Sequence, residues 1–220
     1  MNKSKKDFID FMLELGVLRF GKFITKSGRE TPYFINTGLY NDGEAIDRLG
    51  YYYAECIKDN IVEKLATVYG PSYKGIPLSI GTAIAMNSKY GENVHYSFNR
   101  KEAKDHGEGG IIVGYTPKDG DNVVIVEDVI TSGLSISESV AILNKEAAVN
   151  MRGVIISVDR MEKGNGNTSA LQEIQEKYNL PVYSIVTIED VVNYIYNEKN
   201  GGKSIVNKEM KSEIEARIFR

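Results

Sequence analysis

Residues 123–133, Val-Val-Ile-Val-Glu-Asp-Val-Ile-Thr-Ser-Gly, decide the fold class of this chain. Val123 to Val126 form an apolar run without alternation, which predicts a strand buried on both faces of a parallel sheet. Two carboxylates, Glu127 and Asp128, follow where that strand should end. After Val129-Ile130 comes a small turn, Thr131-Ser132-Gly133. Ile136, Val140 and Leu143 then recur at helical spacing, with Ser135 and Glu138 placed as a capping box. This arrangement offers carboxylates to sugar hydroxyls or a hydrated cation. It also offers unpaired N–H groups, at the positive end of a helix, to a phosphate. A ribose 5-phosphate satisfies both halves. The same arrangement also occurs in doubly wound proteins whose site lies elsewhere.

Outward from this strand, elements alternate. Leu65 to Tyr69, Val94 to Phe98, Gly110 to Tyr115, Gly153 to Val158 and Val182 to Val186 read as strands. Ala45 to Lys64, Ile76 to Ser88, Ser135 to Ala147, Ser169 to Tyr178 and Ile188 to Glu198 read as helices. Alternation over about residues 65–190 predicts an α/β core, a mainly parallel central sheet flanked by helices. Asp7 to Leu18 predicts an amphipathic helix and residues 19–40 extended structure, which breaks the rhythm. Residues of about 1–45 therefore read as a small N-terminal hood lobe over the carboxyl edge of the sheet, within a single domain of residues 1–220. Ser204 to Arg220 is a charged tail with some helical character.

At 220 residues the chain suffices for one substantial core, and 42% hydrophobic with 26% charged residues is ordinary for a globular protein. A net charge of −3 argues against a broad nucleic-acid footprint. No apolar run has the length of a membrane span, and the N-terminus leads into no signal-like segment. One cysteine, Cys56, excludes an internal disulfide, and cytoplasm is the expected location. A Walker P-loop and the dinucleotide glycine signature are both absent.

Four further clusters carry chemistry-bearing residues. Lys26 to Asn36 combines cations, a turn and aromatics; it is either a basic turn entering a strand or, through Lys26 and Phe34, a bed for a planar anionic ring. Gly70 to Pro77 is a glycine- and proline-bearing turn in which Lys74 would meet a diphosphate at the carboxyl edge. Phe98 to Gly110 is the most polar stretch between two strands. It reads either as a solvated loop or as a closing one, whose Arg100, Lys101, Lys104 and His106 hold a diphosphate leaving group. Arg160, at a strand end in Asp159-Arg160-Met161-Glu162, is a surface ion-pair partner or a two-pronged grip on a carboxylate. His95 lies in a strand and reads as structural.

Residues 123–133 closely resemble the phosphoribosyl-pyrophosphate (PRPP) motif of type I phosphoribosyltransferases, in which the first acid is often Asp where this chain has Glu127. Lys26 to Asn36 resembles the N-terminal signature of the orotate phosphoribosyltransferase family, Lys-Ser-Gly-Arg-x-Ser-Pro-Tyr-Phe-Phe-Asn, with Thr31 for Ser and Ile35 for the second Phe. Tyr73 to Pro77 is similar to its Tyr-Lys-Gly-Ile-Pro loop. Arg100 to Gly107 is similar to its catalytic loop, and Asp159 to Glu162 to its Asp-Arg-x-Glu. The resemblance implies a type I phosphoribosyltransferase-like fold with a hood, and transfer of phosphoribose from PRPP to orotate in pyrimidine biosynthesis.

It further implies residue roles. PRPP would be bound by Tyr73, Lys74, Arg100, Lys101, Lys104, His106, Glu127, Asp128 and the turn Val129, Ile130, Thr131, Ser132, Gly133, Leu134 and Ser135. Orotate would be bound by Lys26, Phe34, Ile35, Thr131 and Arg160. Lys104, His106 and Asp128 would be catalytic. Mg2+ would be held mainly through PRPP, with no direct protein ligand. A homodimer would share its active sites, because in relatives the loop reaches into the neighbouring subunit. Another base, or a non-catalytic PRPP sensor or nucleic-acid-binding regulator on the same scaffold, remains an alternative at this stage. The clusters at Lys26 and Arg160 argue against the first, and the net charge and intact loop against the second.

Overall fold

A computed structural model of the chain describes residues 1–24, 28, 30–104, 110–162, 168–198 and 205–218, without the side chains of 103, 104 and 198. Helix α1 (Lys3–Glu14) leads into an antiparallel pair, β1 (Leu18–Ile24) and β2 (Glu30–Ile35), then a 3-10 turn (Thr37–Leu39) and α2 (Gly43–Asn60). The core follows as β3 (Thr67–Gly70), α3 (Gly75–Tyr90), β4 (His95–Lys104), β5 (Gly110–Gly114), β6 (Asn122–Glu127), α4 (Leu134–Glu146), β7 (Asn150–Asp159), α5 (Ala170–Tyr178) and β8 (Val182–Thr187). Helices α6 (Ile188–Glu198) and α7 (Lys208–Glu215) complete it.

The six-stranded sheet has the order β5-β4-β3-β6-β7-β8. All neighbours run parallel except β5, which pairs antiparallel with β4 at one edge. Strand β6 is central, and Val123, Val124, Ile125 and Val126 are each 0% exposed. Val124 and Val126 point into one core with α1, α2, α3 and α6; Val123 and Ile125 point into another with α4 and α5. Full burial of such side chains is worth about 2 kcal/mol each, so the sheet centre is anchored by sequence that has no polar side to offer solvent. Between β3 and β6 the chain winds off in opposite directions. Their carboxyl ends therefore flank a crevice, the usual ligand position in open α/β sheets.

Helix caps follow from side-chain chemistry. Asn2 accepts from the Lys5 N–H and Asp42 from the Ala45 N–H, while Ser169 and Gln172 form a reciprocal box at the start of α5. The box expected from Ser135 and Glu138 does not form. Helix α4 starts one residue earlier, behind Gly133 at φ 70°, and has no side-chain cap hydrogen bond. A left-handed glycine turns the chain more sharply there than a Ser cap would. The polar stretch after Phe98 also differs from a plain loop. Strand β4 continues to Lys104 because β5 returns antiparallel beside it, with a register irregularity between Asn99 and Lys104. Helix α2 ends at Asn60, short of the expected Lys64.

Helices α2 and α3 cross at Gly50 and Gly81. A Cβ on Gly50 would stand 2.4 Å from the Gly81 carbonyl oxygen, a backbone atom that cannot swing aside. Gly50→Ala gains up to about 1 kcal/mol of helix propensity, but overpacking of this kind costs about 1–3 kcal/mol. The expected net result is a lower urea midpoint at unchanged m-value; an unchanged or higher midpoint would show that the crossing relaxes freely.

Candidate active site

The end of β6 is pinned from two sides. The Tyr53 hydroxyl on α2 donates to the Glu127 carbonyl (2.7 Å), and the Ser157 hydroxyl on β7 donates to the Asp128 carbonyl (2.6 Å). The Ser157 N–H reaches the same carbonyl at 3.0 Å. These bonds fix the backbone of the acidic pair, whose residues are only 6% and 7% exposed.

A buried carboxylate needs donors. Asp128 Oδ2 accepts from Lys74 Nζ and from the Thr37 hydroxyl, both at 2.7 Å, and Oδ1 accepts from the Val129 N–H at 2.8 Å. Lys74 Nζ also donates to Thr37 Oγ1 at 2.9 Å. Burial by itself would raise the Asp128 carboxyl, yet the hydrogen bonds from Lys74 and Thr37, with the Lys74 charge, outweigh it and hold the group below its ordinary value. Glu127 has weaker support. Burial first, and the Asp128 charge second, push it up to about 7, although its Oε1 accepts the Asp128 N–H at 3.0 Å. The neighbours are thus set apart: one firmly ionised, one able to take a proton near neutrality.

Beyond the pair, the chain bends from Val129 to Ser135. Ile130 is buried, while Thr131, Ser132 and Leu134 are exposed. Gly133 is required twice over: its φ is left-handed, and a Cβ would stand 2.5 Å from Ile174 Cδ1. With no side chain capping α4, the bend and first turn face the crevice at the positive end of a 13-residue helix.

Across the crevice, the turn after β3 is equally constrained. A Cβ on Gly70 would stand 1.9 Å from the Gly75 carbonyl oxygen, so the two glycines let the turn fold back on itself. The Ser72 N–H (3.0 Å) and the Tyr69 hydroxyl (3.2 Å) both donate to Asn99 Oδ1, tying the turn to β4. Tyr73 is exposed, and Lys101 Nζ lies 4.8 Å from its ring centroid. A cavity of about 580 Å³ beside this turn is lined by Ser72, Asn99, Arg100, Lys101, Ser135 and Glu138. It brings cations of β4 and the start of α4 to one space.

Arg160 stands just beyond β7. Its Nη2 donates to Glu162 Oε1 (2.8 Å), its Nε to the Tyr33 hydroxyl (3.3 Å), and that hydroxyl donates to Glu162 Oε1 (3.0 Å). Burial pushes the Tyr33 hydroxyl up to about 12 despite the Arg160 charge, so it stays a neutral partner. Phe34, on the opposite face of β2, is 47% exposed and stacks on Phe23 with centroids 5.6 Å apart. Ile35 is half-buried and packs against the main core.

One short segment therefore touches both parts of the site, Tyr33 meeting Arg160 and Thr37 meeting Asp128. Of the residues expected from sequence, the structure joins Lys74 to Asp128 in a cavity that Tyr73 also lines, and puts Arg100, Lys101 and Ser135 on a second cavity, with Lys101 over the Tyr73 ring between the two. Lys26, His106 and the side chain of Lys104 lie outside the described residues. Thr37, Asn99, Tyr33 and Glu162 are further residues of this region that the sequence does not single out. Tyr33 and Glu162 sit inside quoted motifs, and period-two alternation already separates Tyr33 from Phe34. Thr37 and Asn99 carry no local signal.

Comparison with known proteins gives a consistent picture. No protein-family model matches the chain. Orotate phosphoribosyltransferase of Clostridium botulinum (strain Alaska E43 / Type E3) is 53% identical over 215 residues, 98% of this chain and 96% of that one. The enzyme of the same name from Clostridium acetobutylicum is 50% identical over 214 residues, 97% of this chain and 96% of that one. The crystal structure of orotate phosphoribosyltransferase from Francisella tularensis superposes with a TM-score of 0.81 at 33% identity, covering 96% of both chains.

The carboxylates make a pH-dependent contribution to stability with a definite sign. Glu127 ordinarily titrates at 4.5 and is raised to about 7 in the fold, so between these values the folded chain keeps a proton that the unfolded chain has lost. Stability from this group is therefore full below pH ~4.5 and is lost as pH rises through about 7. Asp128, being lowered, acts in the opposite sense and only in more acid solution. Urea unfolding from pH 5 to 8 should show a smaller decline for Glu127→Gln than for the parent; parallel curves would remove Glu127 as the source.

Proposed function

The chain belongs to the orotate phosphoribosyltransferase family, and we propose a division of labour among its residues for that family's reaction. It is a pentosyltransferase: the 5-phosphoribosyl group passes from PRPP to orotate, giving orotidine 5′-monophosphate and pyrophosphate in the synthesis of uridine monophosphate. The bond between ribose C1 and the diphosphate oxygen breaks, and a bond from C1 to orotate N1 forms.

The observation that carries the assignment is the meeting of Lys74, Thr37 and Asp128 where the turns after β3 and β6 face each other. On this reading Asp128 and Glu127 hold the ribose 2- and 3-hydroxyls and balance charge at C1 as the ring becomes cation-like. The bend from Val129 to Ser135 holds the 5-phosphate through N–H groups and hydroxyls. Tyr73, Lys74, Arg100 and Lys101, with Lys104 and His106, take up charge on the departing pyrophosphate; Lys104 and His106 are the candidates for protonating it. Preorganised donors of this kind are each worth on the order of 3 kcal/mol in the transition state. Closure of the loop beyond β4 excludes water that would hydrolyse PRPP.

On this reading orotate lies along the backbone of Phe34 and Ile35, whose side chains point to opposite faces of β2, with Thr131, Lys26 and Arg160 around it. Arg160 is held by Tyr33 and Glu162 with its guanidinium plane already oriented, which supports a two-pronged grip on the orotate carboxylate. Orotate is already an anion, so N1 needs no strong base.

Magnesium fits the donor set as a partner of the substrate: oxygen ligands dominate, and the carboxylates of Asp128 and Glu127 lie beside the expected ribose. It would be held mainly through diphosphate and ribose oxygens and would supply neutralisation of the diphosphate charge. Among the described residues, no group of three or more His, Cys, Asp or Glu side chains is placed to hold a metal.

The same proposal includes a homodimer with shared sites and the residues of about 1–45 acting as the hood. Exposed Ile84 and Tyr96, beside a cavity of about 720 Å³ that also takes in Val94 and Tyr115, give an apolar face next to β4 on which a second copy would receive the loop. Among the described residues no helix is long and apolar enough to cross a membrane. The soluble, anionic substrates suit a cytoplasmic enzyme.

The decisive assay is the fall of orotate absorbance with PRPP and magnesium present. In it, Arg160→Ala should raise KM for orotate on the order of 10²-fold while KM for PRPP moves far less; equal losses would take Arg160 out of base recognition. Lys104→Ala should slow single-turnover chemistry by about 10²-fold, and an unchanged rate would remove the loop from catalysis.

A further inference from the structure

Thr37 has no role in any motif, yet among the described residues its hydroxyl is the one group that hydrogen-bonds both Lys74 and Asp128. The polarity of this three-way contact is forced. An ammonium can only donate and an ionised carboxylate can only accept. The Thr37 proton must therefore point at Asp128 Oδ2 (2.7 Å) while its lone pair receives Lys74 Nζ (2.9 Å). The hydroxyl itself is well seated. It stands on the 3-10 turn Thr37–Leu39, whose start is capped by the Asn36 side chain accepting the Gly38 N–H. The Asn36 N–H donates to the Val17 carbonyl at 2.7 Å, which ties the turn to the base of β1.

The contact also poses a problem for the active site. Asp128 has three donors, two on Oδ2 and one on Oδ1, and Lys74 spends two of its three N–H groups on Asp128 and Thr37. On the reading of both groups as PRPP contacts, binding draws Lys74 toward the diphosphate and parts the ion pair. When it does, the buried carboxylate loses its cation and would swing or take up a proton unless another donor stays in place.

We propose that Thr37 is a positioning residue for PRPP: its hydroxyl keeps Asp128 oriented and ionised when Lys74 leaves, and gives Lys74 a defined place from which to leave. This inference rests on the reading of Asp128 and Lys74 as PRPP contacts. It confines the effect of Thr37 to one substrate, because the hydroxyl faces the carboxylate and the ammonium and has no contact with Arg160 or its partners among the described residues.

Steady-state kinetics with each substrate varied, on Thr37→Val, Thr37→Ser and Asp128→Asn, test it. Valine keeps the shape and removes the hydroxyl; serine restores the hydroxyl. Thr37→Val should raise KM for PRPP about tenfold, in line with loss of one charge-assisted hydrogen bond, with kcat within about threefold and KM for orotate within about twofold. Thr37→Ser should return KM for PRPP to within about twofold of the parent and keep its urea midpoint, whereas Thr37→Val should also lower the midpoint at unchanged m-value. An unchanged KM for PRPP in Thr37→Val, equal losses for both substrates, or a serine variant as impaired as the valine one overturns the inference. Asp128→Asn separates the two levels: if it raises KM for PRPP while Thr37→Val does not, only the role of Thr37 falls. If neither moves it, the assignment of Asp128 to the ribose falls as well.

Discussion

A carboxylate kept ionised beneath a protein surface is the constraint around which this site is built. Asp128 follows a strand buried on both faces and is itself almost fully covered. Left alone it would be driven to the neutral form. The remedy comes from segments remote in sequence: a cation from the turn after β3 and a hydroxyl from the turn after β2. Both must converge within hydrogen-bond distance. The convergence of these segments at the crevice between β3 and β6 is thus a requirement of the fold itself.

The topology makes that convergence possible. Because β3 and β6 are neighbours whose following helices cover opposite faces, the turns after them open toward each other. Glycine serves as the means of close approach at Gly70, Gly75 and Gly133, where a methyl group would collide with backbone or with Ile174. The second anchor, Arg160, is stabilised similarly. Glu162 and Tyr33 take up its charge and donors, so the guanidinium is balanced without ligand. Two charged groups of opposite sign are thereby stored in the same edge of the sheet, each with its own partner.

Much of this is legible in the chain. The unbroken apolar run of Val123 to Val126 identifies a strand with no solvent face, and the acids after it mark the carboxyl edge. Alternation of strands and helices around it identifies the sheet as mainly parallel. What cannot be read depends on distance along the chain. Thr37 and Asp128 are 91 residues apart, and nothing near Thr37 announces the contact. Asn99 reaches the turn at Ser72 only because β4 lies beside β3. The start of α4 departs from the capping-box expectation for a local reason. Ser135 and Glu138 have capping-box spacing, but Gly133 in a left-handed conformation already sets the helix origin at Leu134. The continuation of β4 to Lys104 likewise depends on a partner strand that polar side chains do not reveal.

The crossing of α2 and α3 bears on how such a protein can vary. Lys74 immediately precedes α3, and Thr37 sits on the 3-10 turn between β2 and α2, so the two side chains meet beside the leading ends of helices locked together at Gly50 and Gly81. Lengthening the chain by one residue before either helix would rotate one group out of reach of the other, whatever its identity. Tolerance to insertions is therefore expected to be uneven: wide in exposed connections remote from this contact, and nearly absent in the few residues between Lys74 or Thr37 and the helix that follows it.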